Sequence, residues 1–232
     1  MALHPQFPTN RLWEFAALVH EIKQPLTAIL SNAQAAYHLL TLDPLDLEEA
    51  RASLADIVAD ARRTAEVLRG LQAFVTTGAL NFVLFNINTF VQETMGLVNR
   101  DATAQGVIIT LELADDLPSV YGDCAQLRQV LLNLVRNAFE AMRQVEDGDR
   151  MLVVRTSFAA PGGIVVEVQD RGMSIDETTL TRLFHPFFTT KAGGMGLGPA
   201  FSRSIIAAHG GWIWATQNPD RGLTMSFTLP SA

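Results

Sequence analysis

A histidine near the start of the chain is the first residue whose surroundings could support chemistry. His20 begins the run His-Glu-Ile-Lys-Gln-Pro. An exposed imidazole is largely neutral at pH 7, so a free ring nitrogen can attack a phosphoryl group. Glu21 could accept a proton from the other ring nitrogen, and Gln24, one helical turn later, could orient a water molecule. Pro25 removes the amide that would bond the carbonyl of Glu21, which predicts a bend just past the histidine. A lone histidine on a helix is more often an ordinary surface residue, so this run needs a second site to support it.

Polar residues in the second half of the chain are candidates for that second site. Asn133 and Asn137 are four residues apart and share one face of a predicted helix, with Arg136 beside them. Asp170 ends an apolar predicted strand, where a carboxylate requires a hydrogen-bond donor. A glycine-rich stretch precedes a further predicted helix, and backbone amides at such a helix start can cradle phosphates. The glycines and basic residues of this region are Gly193, Gly194, Gly196, Gly198, Lys191 and Arg203.

Two long helices are predicted to position His20. Apolar residues recur in steps of three and four over residues 12–40, and again over residues 47–75. Asp46 is typical of an N-cap for the second helix. The short connection makes the helices antiparallel neighbours. One hairpin would leave much of each apolar series in water, so residues 12–76 are predicted to form a homodimer as a four-helix bundle. The alternative is a hairpin packed on its own C-terminal half.

The rest of the chain is predicted to be an α/β sandwich with helices on one face of a sheet, so the fold class as a whole is α+β. After Gly78 the long helical pattern gives way to strand and helix patterns, which predicts two domains, residues 1–77 and 78–232. The predicted strands are 82–87, 107–113, 151–158, 164–170, 212–217 and 223–229, and the predicted helices are 89–104, 123–145 and 200–208.

Composition excludes several functional classes. The 232 residues are 48% hydrophobic, and 17 basic against 24 acidic residues give a formal net charge of −7. No basic run is present, which argues against a nucleic-acid interface or a polybasic membrane anchor. Cys124 is the single cysteine, so an internal disulfide and a cysteine zinc site are excluded.

His185 and His209 have no second ligand at helix or strand spacing and are predicted to be structural. No apolar stretch approaches the roughly 18 residues of a membrane span, which predicts a cytoplasmic protein or the cytoplasmic core of a longer receptor.

Five short motifs occur in an order and spacing that resembles the sensor histidine kinases of two-component signalling. In chain order, segments that resemble the H, N, G1, F and G2 boxes of that family are 20–25, 133–142, 170–172, 184–191 and 194–198. The resemblance covers about residues 12–230. It implies a dimerisation and histidine-phosphotransfer hairpin, followed by an ATP-binding domain of the Bergerat type that gyrase and MutL share.

The resemblance also implies roles for single residues. Asn137 would offer its amide oxygen to Mg²⁺, which bridges the phosphates of ATP. Asn133 stands where hydrolysing relatives carry a glutamate base, so ATP would be held for transfer rather than hydrolysed. Asp170 would accept the exocyclic amine of adenine, and Gly172 would let the backbone pass close to the base. The implied ATP-binding residues are Asn133, Arg136, Asn137, Asp170, Gly172, Lys191, Gly194, Gly196, Leu197 and Gly198.

The implied reaction is autophosphorylation of His20, assisted by Glu21, followed by transfer to an aspartate on the receiver domain of a response regulator. Two positions depart from the family pattern. Ser174 replaces the last glycine of the G1 box, which would be costly if that site required positive φ. Pro199 follows the last glycine of the G2 box, where it is tolerated only in the first turn of a helix. These departures keep open an inactive nucleotide-binding scaffold, and Gln24 keeps open a response-regulator phosphatase.

Overall fold

The computed structural model describes residues 10–42, 46–75, 81–146, 148–159, 162–190 and 196–232, without the side chains of residues 10–21, 62–63 and 65–75. The chain divides into two compact units, the first holding the helices up to Val75 and the second holding the described residues from Asn81 onward. Over the described ranges, no helix combines the length and apolar character needed to span a membrane.

The first unit is a pair of packed helices, α1 (Asn10–Leu39) and α2 (Leu47–Val75). The predicted N-cap of α2 is present, because the Glu49 amide donates to Oδ1 of Asp46 at 3.0 Å. Pro25 lies inside α1, and the helix continues on both sides of it. The predicted long helices are therefore confirmed over the described residues.

The face through which the two helices meet contains only half of the predicted apolar series. The least exposed described positions are Ile22, Pro25, Ala28, Ile29, Asn32, Ala36 and Leu39 in α1, and Ala50, Ser53, Ile57, Asp60 and Thr64 in α2. Other members of the series remain in water, since Leu26 is 50% and Leu40 is 45% exposed. The reason is geometric: an apolar stripe wider than one helix contact cannot be buried by a single neighbouring helix.

The second unit is built on a five-stranded sheet in the order β2-β4-β5-β7-β6. Its helices are α3 (Ile87–Ala104), α4 (Cys124–Ala141), α5 (Glu177–Arg182) and α6 (Gly198–Ala208). Its strands are β1 (Val83–Phe85), β2 (Ile108–Leu113), β3 (Val120–Gly122), β4 (Met151–Ala159), β5 (Gly163–Asp170), β6 (Ile213–Gln217) and β7 (Leu223–Pro230). β2 is parallel to β4, whereas β4–β5, β5–β7 and β6–β7 are antiparallel. β1 and β3 pair separately.

The core of this unit lies between the sheet and α3, α4 and α6. Alternate residues of β5 are buried, as expected for a strand with one face against helices. The helices contribute their apolar faces, including Leu127, Leu131 and Leu134 of α4, each fully buried. Such burial stabilises the unit by about 2 kcal/mol for each large aliphatic side chain.

Most predicted elements of this half are present, with shifted ends. Residues 86–87 begin α3 instead of ending a strand, because the Asn86 side chain accepts the first amides of the helix. α4 ends at Ala141 and not at 145. β3 and α5 have no counterpart in the sequence prediction. α5 begins where Asp176 accepts the Thr179 amide at 2.7 Å, and so short an element carries too few residues for a periodic pattern.

Candidate functional site

Asp170 lies at the end of the central strand of the sheet. In β5 the side chains of Ile164, Val166 and Val168 are buried, and Asp170 follows them on the same face. The two-residue period that buries three apolar side chains therefore buries the carboxylate as well, and Asp170 is only 4% exposed. A carboxylate in such a position is costly to the fold, which indicates a function for it.

The described residues bond one oxygen of this carboxylate and not the other. Oδ1 of Asp170 accepts the Gly172 amide at 2.7 Å and the Leu223 amide at 3.4 Å. No donor among the described residues bonds Oδ2. Oδ2 is also not among the fully buried side-chain atoms that lack a partner, so it is partly accessible. Burial raises the pKa of the Asp170 carboxyl to about 6, although the two amides act in the opposite direction. Asp170 is thus mostly ionised at neutral pH, with one oxygen available to an external donor.

Two glycines allow the backbone to close around Asp170. A Cβ at Gly172 would lie 2.6 Å from the Cβ of Ala141, at the end of α4. Gly222 has φ of +83°, and a Cβ there would lie 2.2 Å from the Asp170 carbonyl oxygen. The close approach that requires Gly172 in this structure is thus to α4. The approach of Gly172 to an adenine base, implied by the resemblance, stays a prediction.

The polar face of α4 carries the residues expected to hold phosphate and metal. Asn133 and Asn137 are half-buried there, and Arg136 is exposed between them. The amide nitrogen of Asn133 donates to the Ser202 hydroxyl on α6 at 2.9 Å. A Cβ at Gly198 would lie 2.5 Å from the amide oxygen of Asn133. Asn133 therefore ties α4 to α6, and a side chain at position 198 would displace the side chain of Asn133 from this contact.

The start of α6 differs from that of the other helices in this unit. Leu197 occupies its N-cap position without a side-chain cap hydrogen bond, and its side chain is buried. Side chains do cap α3, α4 and α5, namely Asn86, Asp123 and Asp176. Uncapped amides in a first turn are suitable donors to phosphate. Pro199 lies within that first turn, where proline is tolerated but supplies no amide.

The phenylalanine-rich segment before α6 packs against Gly196. Gly196 has φ of +63°, and a Cβ there would lie 2.1 Å from the Phe188 carbonyl oxygen. The Arg182 guanidinium lies 4.4 Å from the centre of the Phe188 ring, a cation–π geometry. Phe187 has φ of +63°, which a side chain adopts at a cost of about 1 kcal/mol. Glycine is therefore required at 196 for two reasons, its backbone angle and its neighbour.

The structure places part of the phosphotransfer run and leaves part outside its description. His20 and Glu21 lie within α1, and their side chains fall outside the described residues. Gln24 is exposed on the same helix. Lys191 and Gly194 also lie outside the described residues, so their implied phosphate contacts stay predictions.

Ser174 does not carry the strain that a glycine-requiring site would impose. The described non-glycine residues with positive φ are Asp116 and Phe187, so serine at 174 meets no such penalty. Both departures from the family pattern, Ser174 and Pro199, are accommodated by the local backbone.

The hydrogen-bonding groups present fit an adenine nucleotide held with one metal ion. The open oxygen of Asp170 suits an amine donor, and the uncapped amides of α6 suit phosphate. The described residues hold no group of three or more His, Cys, Asp or Glu that could bind a metal without help. Mg²⁺ is commonly held by few protein oxygens together with substrate phosphates, so Asn137 fits such a limited role.

Sequence reasoning missed the turn that holds Asp170. The pattern of residues 218–222 predicts only a connection between two strands, yet Nδ2 of Asn218 donates to the Asp170 carbonyl oxygen at 2.8 Å. Asn-Pro-Asp-Arg-Gly is a strong turn signal, but it does not indicate which strand end the turn will contact.

His209 is structural, as predicted: it is buried, its Nδ1 lies 2.8 Å from the Ile205 carbonyl oxygen, and its Nε2 accepts the Asp123 amide at 3.0 Å.

Residues 122–232 match the family described as histidine kinase-, DNA gyrase B- and HSP90-like ATPases. Sensor protein FixL of Bradyrhizobium diazoefficiens is 38% identical over 219 residues, which are 94% of this chain and 43% of that protein. Sensor histidine kinase TmoS of Ectopseudomonas mendocina is 33% identical over 94% of this chain and 22% of its own length. The chain thus spans less than half the length of these curated relatives.

Solved structures agree with these relatives. The catalytic domain of histidine kinase ThkA is 31% identical, with a TM-score of 0.58, and the match covers 65% of this chain and 96% of that domain. ThkA in complex with the response regulator protein TrrA is 26% identical, with a TM-score of 0.73 over 94% of this chain and 61% of that one. The helical hairpin, the sheet that buries Asp170 and these similarities together show that the chain belongs to the sensor histidine kinase family.

Proposed function

We propose that this chain is the kinase core of a two-component system, which transfers the γ-phosphoryl group of ATP to His20 and then to an aspartate of a response regulator. The observation that carries the proposal is the buried carboxylate of Asp170, whose Oδ2 no described residue bonds, at the end of the strand β5 that packs against α4. Family membership supports ATP as the ligand of this unit.

Each residue of the site has one task in this proposal. Asp170 accepts the exocyclic amine of the base through Oδ2, and the amides near Gly196 and Gly198 bind phosphate. Asn137 holds Mg²⁺, which would neutralise phosphate charge during transfer. Asn133 cannot deprotonate water, and its amide nitrogen is committed to Ser202, so the site is suited to transfer rather than to hydrolysis. Arg136 and Lys191 are the proposed cationic partners of the phosphates.

The transfer step itself requires mainly positioning. A ring nitrogen of His20 forms a bond to the γ-phosphorus as the bond from that phosphorus to the bridging oxygen breaks, and ADP leaves with the electron pair. Glu21 accepts the proton that the imidazole loses from its other nitrogen. The phosphoryl group then passes from His20 to a carboxylate oxygen of the regulator as its bond to the ring nitrogen breaks, and return of the proton from Glu21 restores the neutral imidazole.

The hairpin is proposed to act as a homodimer in a four-helix bundle. The exposed apolar side chains of α1 follow steps of four and three, at Leu26, Leu30, Ala33, Tyr37 and Leu40. Leu30 is 61% and Tyr37 74% exposed, and a second hairpin would bury this stripe. Sedimentation at micromolar concentration should give about twice the 25.3 kDa of one chain. A mass near one chain would contradict the dimer.

The receiver domain of a response regulator is the proposed partner. The structure of ThkA with TrrA supports this class of partner for the family. We place the reaction in the cytoplasm, where such regulators and ATP are available.

The same partner offers a second activity: Gln24 is exposed one turn past His20 and could orient a water molecule toward the phosphorylated regulator. The wild-type chain should speed the loss of phosphate from the phosphorylated regulator, and Gln24→Ala should speed it less. If neither protein speeds the loss relative to the regulator alone, this activity is excluded.

Incubation with γ-labelled ATP and Mg²⁺ tests the kinase proposal directly. We expect acid-labile, alkali-stable label on the wild-type chain and none on His20→Gln or Asn137→Ala. Dimer mass and thermal unfolding of each variant serve as controls for folding. Label that persists in His20→Gln would remove His20 as the acceptor.

The alternative, an inactive nucleotide-binding scaffold, loses its structural motivation. The sequence motivates it through possible strain at Ser174 and a possible helix break at Pro199, but Ser174 does not have positive φ and Pro199 lies in the first turn of α6. An unlabelled wild-type chain that still forms a folded dimer would restore it. Titration with Mg²⁺ and ATP would then separate a scaffold that binds nucleotide from one that does not.

A further inference from the structure

Asn218 uses its whole side chain to hold one turn in place. Its Nδ2 donates to the Asp170 carbonyl oxygen at 2.8 Å and to the Arg221 carbonyl oxygen at 3.2 Å. Its Oδ1 accepts the Thr224 hydroxyl at 2.6 Å. Its backbone amide donates to the Gly222 carbonyl oxygen at 3.1 Å. Because two carbonyls face Nδ2, only the amino group of the amide can occupy that position.

This turn supplies one of the two amides on the Asp170 carboxylate. Asn218 bridges the end of β5 to the β6–β7 turn, and Leu223, at the other end of that turn, donates to Oδ1 of Asp170 at 3.4 Å. Gly222 is pressed against the same residue, since a Cβ there would lie 2.7 Å from Oδ1. The turn thus bonds one oxygen of the carboxylate, and no described residue bonds Oδ2.

We propose that Asn218 is a positioning residue which, through the turn it closes, directs Oδ2 of Asp170 toward the ligand and thereby sets selectivity for a base with an exocyclic amine. The inference rests on the proposed function of Asp170 as the adenine-recognition residue. Asn218 itself touches only protein. Its effect should therefore appear in discrimination between bases rather than in the binding of phosphate.

Binding of two nucleotides that differ by one amine tests this inference. ATP is compared with purine riboside triphosphate, which lacks the exocyclic amine, by calorimetry in the presence of Mg²⁺. A hydrogen bond to a charged acceptor corresponds to a preference of at least about 10-fold for ATP in the wild type. Asn218→Ala should reduce that preference to less than about 3-fold, while the affinity for purine riboside triphosphate stays within about 2-fold.

Two further variants complete the experiment. Asn218→Asp has the same shape but places carboxylate oxygen against two carbonyls, so it should lose the preference at least as fully. Asn99→Ala removes an exposed asparagine of α3 and should keep the wild-type preference. Equal loss of affinity for both nucleotides in Asn218→Ala, or an unchanged preference, would overturn the inference. Wild-type protein that binds neither nucleotide would instead refute the proposed function, and the selectivity with it.

Hydrogen exchange in the nucleotide-free protein gives an independent reading of the same contact. The Leu223 amide should exchange at least about 10-fold faster in Asn218→Ala than in the wild type, because the turn no longer holds it on Asp170. The Val166 amide, within the central strand β5, should be unchanged. Equal exchange of Leu223 in both proteins would show that Asn218 does not position the turn.

Discussion

The two units of this molecule bury their apolar residues to different extents. In the second unit Leu131, Leu134 and Val135 of α4 are fully buried. In the hairpin Leu30 is 61% and Tyr37 74% exposed. The buried face of α4 is therefore covered within its own unit, whereas the hairpin presents an apolar stripe along α1 that requires a further partner.

The difference shows where each unit depends on something outside itself. In the second unit, the described residues leave Oδ2 of Asp170 without a hydrogen bond and the amides at the start of α6 without a side-chain cap. These groups suit a small polar ligand. The hairpin is open along apolar side chains, which suits another helical surface. Unfolding of the second unit should thus be independent of protein concentration, whereas unfolding of the hairpin should depend on it.

The largest effect is expected from a cavity in the second unit. Leu131→Ala removes a fully buried side chain and should lower the free energy of unfolding of that unit by about 3 kcal/mol. Leu97→Ala removes a leucine of α3 that is 61% exposed and should cost less than about 0.5 kcal/mol. Urea unfolding of both variants provides the measurement. Similar losses would contradict the assigned core.

Asp170→Asn should stabilise the same unit while it weakens nucleotide binding. Folding raises the pKa of this carboxyl from 3.8 to about 6, so protonation favours the folded state. That stabilisation is complete below pH 3.8 and is lost as the pH rises through 6. At pH 7 the ionised wild type bears a cost of up to about 3 kcal/mol, which a neutral asparagine avoids.

Urea unfolding of wild type and Asp170→Asn at pH 4 and pH 7 measures this cost. The advantage of the variant should be small at pH 4 and larger at pH 7. An advantage that does not change with pH would show that burial of the carboxylate is not its source. Loss of ATP binding in the more stable variant would show that the carboxylate is retained for its ligand.

A substitution in the exposed stripe of the hairpin should weaken association without unfolding the second unit. Leu30→Ala removes a leucine from each chain of the proposed dimer, which corresponds to about 2 kcal/mol and a dissociation constant about 30-fold higher. Ser31→Ala, exposed on the outer side of α1, is the matched control. Sedimentation over a range of concentrations measures both, and equal dissociation constants would exclude this stripe from the interface.

The smallest effect is expected at Ser174. Serine is not in the positive-φ region there, so Ser174→Gly should not stabilise the protein, and its greater unfolded-state freedom should cost about 0.5 kcal/mol. Thermal unfolding provides the measurement. A stabilised variant would mean that serine strains the backbone at this position.

Much of the architecture follows from local patterns. Periods of two and of three to four residues identify most strands and helices, and the side chain of Asp46 predicts the start of α2. The order of the motifs also indicates Asp170 and the two asparagines of α4 as candidate site residues. These signals are readable in the sequence because they depend on neighbours within a few residues along the chain.

Other features depend on residues that are distant in sequence, and only the tertiary structure decided them. Asn218 bonds the carbonyl of Asp170 across 48 positions, and Asn133 bonds Ser202 across 69. The sequence alone determined that the hairpin has more apolar surface than one contact can bury. Which half of that surface faces α2 was decided by packing, because the small side chains of Ala36 and Ala50 are buried there and allow the helices a close approach.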